Sequence, residues 1–143
     1  MVDVGSDVTV AAPADAVWDL LVRPARIPEW NEVHAGFAGP VPDTLAAGSG
    51  YRQQVKMLGM GMTLAWLVVE LDPARLLVQT AEGPAGMTVR TSYGLVAADG
   101  GTRVTLASSF TGGPAATAFA PAVQKFGQKQ ADRSVAALAR LFD

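Results

Sequence analysis

The stretch that decides the fold runs from Gly86 to Phe110, "GMTVRTSYGLVAADGGTRVTLASSF". Met87, Val89, Thr91, Tyr93 and Leu95 alternate with Thr88, Arg90, Ser92 and Gly94, the period of a half-buried strand. "AADGGT" then supplies an Asp-Gly turn, the strongest hairpin signal in the chain. The return strand "RVTLASSF" places Val104, Leu106, Ser108 and Phe110 inward. A sheet face so patterned needs a cover, and the chain downstream provides one. Phe119, Val123, Phe126, Ala131, Val135, Leu138 and Phe142 recur at helical spacing, with Lys125, Lys129, Asp132, Arg133 and Arg140 elsewhere on the wheel. The spacing predicts a helix over 121–141, roughly 30 Å long at about 1.5 Å per residue.

Upstream, "DVTVAAPADAVWDLLV" (Asp7–Val22) begins as a strand ending near Ala11. Pro13 then opens a short helix, where a missing N–H costs nothing, and Val17, Leu20 and Leu21 form its apolar stripe with Trp18 in the core beside them. A second helical turn, "PARIPEW", follows Pro24. After the turn-rich "FAGPVPDTLAAGSG" the period becomes two. In "YRQQVKM", Tyr51, Gln53, Val55 and Met57 alternate with Arg52, Gln54 and Lys56. "MTLAWLVVELD" and "ARLLVQTA" are the next strands. The order is strand, two short helices, a run of antiparallel strands and one long helix, an α+β solution in which a helix and a curved sheet each bury one face.

At 143 residues, 50% hydrophobic and 17% charged, the chain is expected to be one ordered domain spanning 1–143. A net charge of −2 with 11 scattered Lys and Arg excludes the basic footprint that nucleic acid requires. The absence of cysteine removes disulfides and thiolate chemistry, and one histidine with no carboxylate pair at ligand spacing argues against a metal. No apolar run approaches the roughly 20 residues of a membrane span, and "MVDVGSDVTV" lacks a basic leader, so a cytoplasmic location is expected.

The strings "VAAPADAVWDLLVRPARIPEWN" (Val10–Asn31), "TLAWLVVELDPARLLVQT" (Thr63–Thr80) and "GGTRVTL" (Gly100–Leu106), followed by the long helix, resemble the SRPBCC superfamily of START-like, helix-grip proteins, and within it the polyketide cyclase/dehydrase family. "FTGGPAATAF" (Phe110–Phe119) is similar to a subgroup associated with toxin–antitoxin pairs. The resemblance implies a curved sheet of about seven strands wrapped around the C-terminal helix, as the layered α+β pattern requires. It also implies a cavity between sheet and helix, open near the short helices and hairpin tips.

The residues placed at such a cavity are Trp30, Tyr51, Gln53, Met57, Met60, Met62, Leu64, Trp66, Thr91, Tyr93, Phe119, Val123 and Phe126. They are apolar and aromatic with a few polar tips, the make-up of a small-molecule pocket. In "VKMLGMGMTLAW" (Val55–Trp66), Gly59 and Gly61 permit a tight hairpin with Met60 at its tip. The methionines are either gap fillers or an adaptable lip over the cavity. Trp30 is a plug between helix and sheet or a ring for ligand stacking. Gly127 leaves room for ligand or for close helix–sheet packing. In "AWLVVEL" both faces are apolar, as in a strand covered on both sides or a dimer contact.

Candidates for chemistry are Tyr93, His34 and Glu70. His34 would be the natural base near neutral pH, with Glu32 on the same strand face. Glu70 shares parity with Trp66 and Val68, so it points either inward at a strand end or into solvent, paired with Arg75 or Arg90. Three functions follow: a carrier of an apolar, even polycyclic, small molecule without cofactor, a polyketide cyclase or dehydratase acting in the same space, and a toxin-like or regulatory protein acting through its surface.

Overall fold

The Asp99-Gly100 turn forms as expected, in a computed structural model that describes residues Met1–Asp143. It joins strands β6 (Thr88–Ala98) and β7 (Gly101–Thr111), in register from Ala98 opposite Gly101 to Thr88 opposite Thr111. This register sets Tyr93 against Leu106, Thr91 against Ser108 and Val89 against Phe110, so the two alternating patterns fall on one face. The other strands are β1 (Val2–Val10), β2 (His34–Phe37), β3 (Gly50–Met57), β4 (Met60–Asp72) and β5 (Leu76–Glu82). Together they make one antiparallel sheet in the order β1-β7-β6-β5-β4-β3-β2. The short helix α1 (Ala14–Leu21) and a 3₁₀ turn (Pro24–Glu29) carry the chain from the β1 edge to the β2 edge. Pro13 stands at the N-cap of α1, and Val17, Leu20 and Leu21 are buried, while Trp18 packs half-buried against the core.

The long helix α2 (Ala120–Arg140) packs chiefly on β1 and less on β7. Gly127 permits this approach: a Cβ there would stand 3.2 Å from Val4 Cγ1 and 3.6 Å from Phe110 Cε2. Beside it, the Gln128 amide accepts from Gly5 N (3.2 Å) and donates to Gly5 O (2.6 Å), satisfying backbone groups of an edge strand. Further along, Ser134 Oγ accepts a hydrogen bond from Glu32 N (3.2 Å), tying the helix to the chain after the 3₁₀ turn. No helix is long and apolar enough to cross a membrane.

The structure corrects two local expectations, the place of Met60 and that of Glu32, and bears on two choices left open, the direction of Glu70 and the cover over β4. The β3–β4 turn is Leu58-Gly59, both at positive φ (51° and 77°), the pairing that suits a two-residue hairpin, so Met60 is the first residue of β4 and not the tip. A register shift between Val68 and Glu70 breaks the alternation of β4; the extra residue of the bulge turns Glu70 out to solvent. Glu32 lies in the turn before β2 and not on its face. β4 is central, but its outer face is uncovered, with Leu67 and Val69 exposed, which leaves the apolar stripe that a dimer contact would bury.

At the far end of the β6–β7 hairpin the fit is tight. A Cβ on Gly101 would lie 1.8 Å from the Val10 carbonyl oxygen, and Thr102 Oγ1 donates to Ala12 O (2.8 Å) where β1 gives way to α1. Gly101→Ala is therefore expected to destabilise the fold by about 2 kcal/mol or more, because backbone must move. Gly61→Ala, which meets nothing within 4 Å, should leave the urea midpoint unchanged or slightly raised. Equal midpoints for the two variants would contradict this packing.

Candidate functional site

Because α2 lies over β1 and β7, the inner faces of β3 to β6 are left partly uncovered by helix. Between them lies a hollow of about 110 Å³ lined by 25 residues, 17 of them hydrophobic. Each strand contributes its inward parity: Tyr51, Gln53 and Met57 from β3, Leu64 and Trp66 from β4, Leu77 and Gln79 from β5. β6 adds Val89, Thr91 and Tyr93, and β7 adds Leu106, Ser108 and Phe110. From α2 come Phe126, Gly127, Gln130, Ala131 and Ser134, and Ile27 and Trp30 enter from the 3₁₀ turn and its end.

Most polar groups on this surface are paired. Tyr51 donates to Gln79 Oε1 (3.2 Å), and the Thr91 and Ser108 hydroxyls are 2.9 Å apart. The indole of Trp66 donates to Gln53 Oε1 (2.9 Å), and an indole can only donate, so the Gln53 oxygen must face it. Gln53 Nε2 then faces His34 Nδ1 at 2.9 Å and donates to it. The neutral His34 ring consequently carries its proton on Nε2. Partial burial lowers the His34 pKa, which reinforces the neutral form. Two buried polar atoms have no protein partner, Trp30 Nε1 and Gln130 Oε1.

The structure brings together Trp30, Tyr51, Gln53, Met57, Leu64, Trp66, Thr91, Tyr93 and Phe126. Trp30 is buried, packs edge-on to Tyr93 (5.8 Å, 88°) as a plug would, and lines the hollow. Gly127 allows the close packing of helix on sheet and is also part of the lining. Met60 is exposed, Met62 is half-buried in β4 away from the lining, and Phe119 projects into solvent at the N-cap of α2. Val123 is buried in the core, outside the lining. The methionine lip thus reduces to Met57. Glu70 is outside, without an ion pair to Arg75, which contacts Asp72 instead (3.7 Å). His34 stands behind Gln53 and does not line the hollow.

Gln79, Gln130 and Ser134 were not anticipated. Gln79 shares parity with Leu77 and Ala81 in "LLVQTA", and Gln130 follows Phe126 by one turn with Ser134 a turn further on, so periodicity alone pointed to all three.

No Asp, Glu, Lys, Arg or His lines the hollow. Its only titratable groups are Tyr51 and Tyr93, and burial pushes both upward, Tyr51 to about 12 and Tyr93 further with added repulsion from Tyr51. At neutral pH the surface can donate and accept hydrogen bonds but holds no general base. The chain has 2 tyrosines, both here, so a spectrophotometric titration reports on this site alone. Between pH 10 and 12 the unfolded chain releases phenolic protons that the folded chain keeps; stability is full below pH 10 and falls as pH rises toward 12. Phenolate absorbance should be absent at pH 10 and appear with unfolding at higher pH, whereas half-ionisation at pH 10 in folded protein would contradict the burial.

The comparisons with known proteins agree with this geometry. The family described as polyketide cyclase / dehydrase and lipid transport matches residues 1–143. The uncharacterized protein Rv1546 of Mycobacterium tuberculosis is 30% identical over 129 residues, covering 86% of this chain and 87% of that one. Among solved structures, TTHA0849 from Thermus thermophilus superposes with a TM-score of 0.79 at 16% identity, covering 96% of this chain and 94% of that one. CV1439 from Chromobacterium violaceum has a TM-score of 0.74 at 16% identity over 99% and 98%. DynU16, from the dynemicin biosynthetic locus, has a TM-score of 0.66 at 24% identity over 96% of this chain and 46% of that one. The helix-grip architecture and the full-length match together bear out the resemblance seen in the sequence: the chain belongs to the polyketide cyclase/dehydrase and lipid transport family of the SRPBCC superfamily.

Proposed function

We propose that the protein binds a small, neutral, largely apolar molecule between the sheet and α2. The observation that carries this reading is a lining without charge, in which apolar surface surrounds a few fixed hydrogen-bonding groups. A charged ligand would be desolvated there with no counter-ion. Size limits the ligand too. At about 110 Å³ the hollow is smaller than the roughly 150 Å³ engineered cavity that holds benzene. A single ring enters only if side chains yield, and Met57, with its flexible thioether, and half-buried Phe126 are the two that can. A polycyclic ligand would require a larger displacement of the same groups.

The cyclase or dehydratase alternative uses the same space. It would rely on orienting a reactive chain against the neutral donors Tyr51 and Tyr93, since neither His34 nor Glu70 reaches the hollow. Binding is the simpler reading because it needs no proton acceptor.

Trp30 and Trp66 both line the site, so indole fluorescence should report entry of a ligand. Toluene is expected to shift the emission saturably. Ala131→Leu, which adds bulk to the lining from within α2, should weaken that binding by about tenfold or more, in line with the 1–3 kcal/mol of overpacking in a filled space. A normal circular dichroism spectrum would confirm that the variant folds. Saturable binding that is unaltered by Ala131→Leu, or no binding to the native protein, would overturn the proposal and favour action through the surface.

A further inference from the structure

Two side chains that line the hollow each carry a buried polar atom without a partner, and the two atoms are complementary in type. Trp30 is 4% exposed, and its indole Nε1–H can only donate. Gln130 Oε1, on the facing helix, can only accept. Both residues line the same small space. Of the other polar side chains of the lining, Tyr51 pairs with Gln79, Gln53 with Trp66 and His34, Thr91 with Ser108, Asn31 with Val33 N and Ser134 with Glu32 N, while the Tyr93 hydroxyl makes no hydrogen bond within the protein. Buried polar groups in native proteins are nearly always hydrogen-bonded, so an unmatched donor and an unmatched acceptor at one cavity point to something that serves both.

We infer that the ligand carries a neutral hydroxyl group, which accepts from Trp30 Nε1 and donates to Gln130 Oε1. The inference rests on the binding reading above and adds the chemistry of the ligand's polar end. A ketone or ether accepts but leaves Gln130 unserved. An ammonium donates but leaves Trp30 unserved and brings an unpaired charge, and a carboxylate has the converse fault. A hydroxyl is the smallest organic group that does both, and the volume favours the smallest. The edge-on packing of Trp30 against Tyr93 (5.8 Å) holds the indole in place before the ligand arrives.

The probes are p-cresol and toluene, which differ by the hydroxyl alone, each titrated by indole fluorescence and by calorimetry. The native protein is expected to bind p-cresol about tenfold more tightly than toluene, the effect of one or two hydrogen bonds gained at a buried site. Gln130→Leu should bring the ratio of the two affinities toward one. Trp30→Phe, with fluorescence then read from Trp66, should do the same. Equal affinities in the native protein would mean that bound water serves both atoms, which overturns the hydroxyl assignment and leaves the apolar-binding reading standing. A preference for p-cresol that survives both substitutions would also overturn the assignment. Failure of both probes to bind would overturn the binding reading itself.

Discussion

The arrangement depends on one seam, where Gly127 and Gln128 of α2 meet Val4 and Gly5 of β1. The glycine removes the Cβ that would crowd Val4 at 3.2 Å, and the glutamine amide takes both polar groups of the Gly5 backbone. The helix is thereby drawn close to one edge of a seven-stranded sheet. A sheet with right-handed twist curls away from a straight helix held at its margin. The inner faces of β3 to β6 are therefore left to be covered by side chains alone, and those do not fill the space. The Ser134–Glu32 hydrogen bond anchors the helix further along, so it cannot simply settle inward.

The lining of the hollow carries no charged side chain. Partial burial lowers the pKa of the single histidine, which stands behind Gln53, and burial raises those of the two tyrosines.

Much of this was legible in the sequence, for physical reasons. Strict alternation in "YRQQVKM" and "GMTVRTSYGLV" leaves one inward parity, so Tyr51, Gln53, Thr91 and Tyr93 were assignable to the concave face. Helical spacing marked Phe126 in the same way. Where sequence reasoning left a choice open or failed, a local irregularity had intervened. The bulge at Val68–Glu70 flips Glu70 and has no signature in a run that is apolar on both parities. The turn at Leu58-Gly59 places a leucine at positive φ, which turn chemistry disfavours, so the tip appeared to lie two residues further on. Phe119 belongs to the apolar spacing of the helix but stands at its first turn, beyond the edge of the sheet face it would cover. The size of the hollow was not legible, because volume depends on how side chains from many elements converge and not on the pattern within any one of them.

The central claim is that space remains between α2 and the inner faces of β3 to β6, and xenon tests it most directly. Xenon enters preformed apolar cavities without needing hydrogen bonds or charge. Crystals of the unliganded protein held under xenon pressure should show a bound atom among Trp66, Tyr93 and Phe126, with little movement of the backbone. A fully refined structure with those side chains in mutual contact and no xenon between helix and sheet would contradict the account.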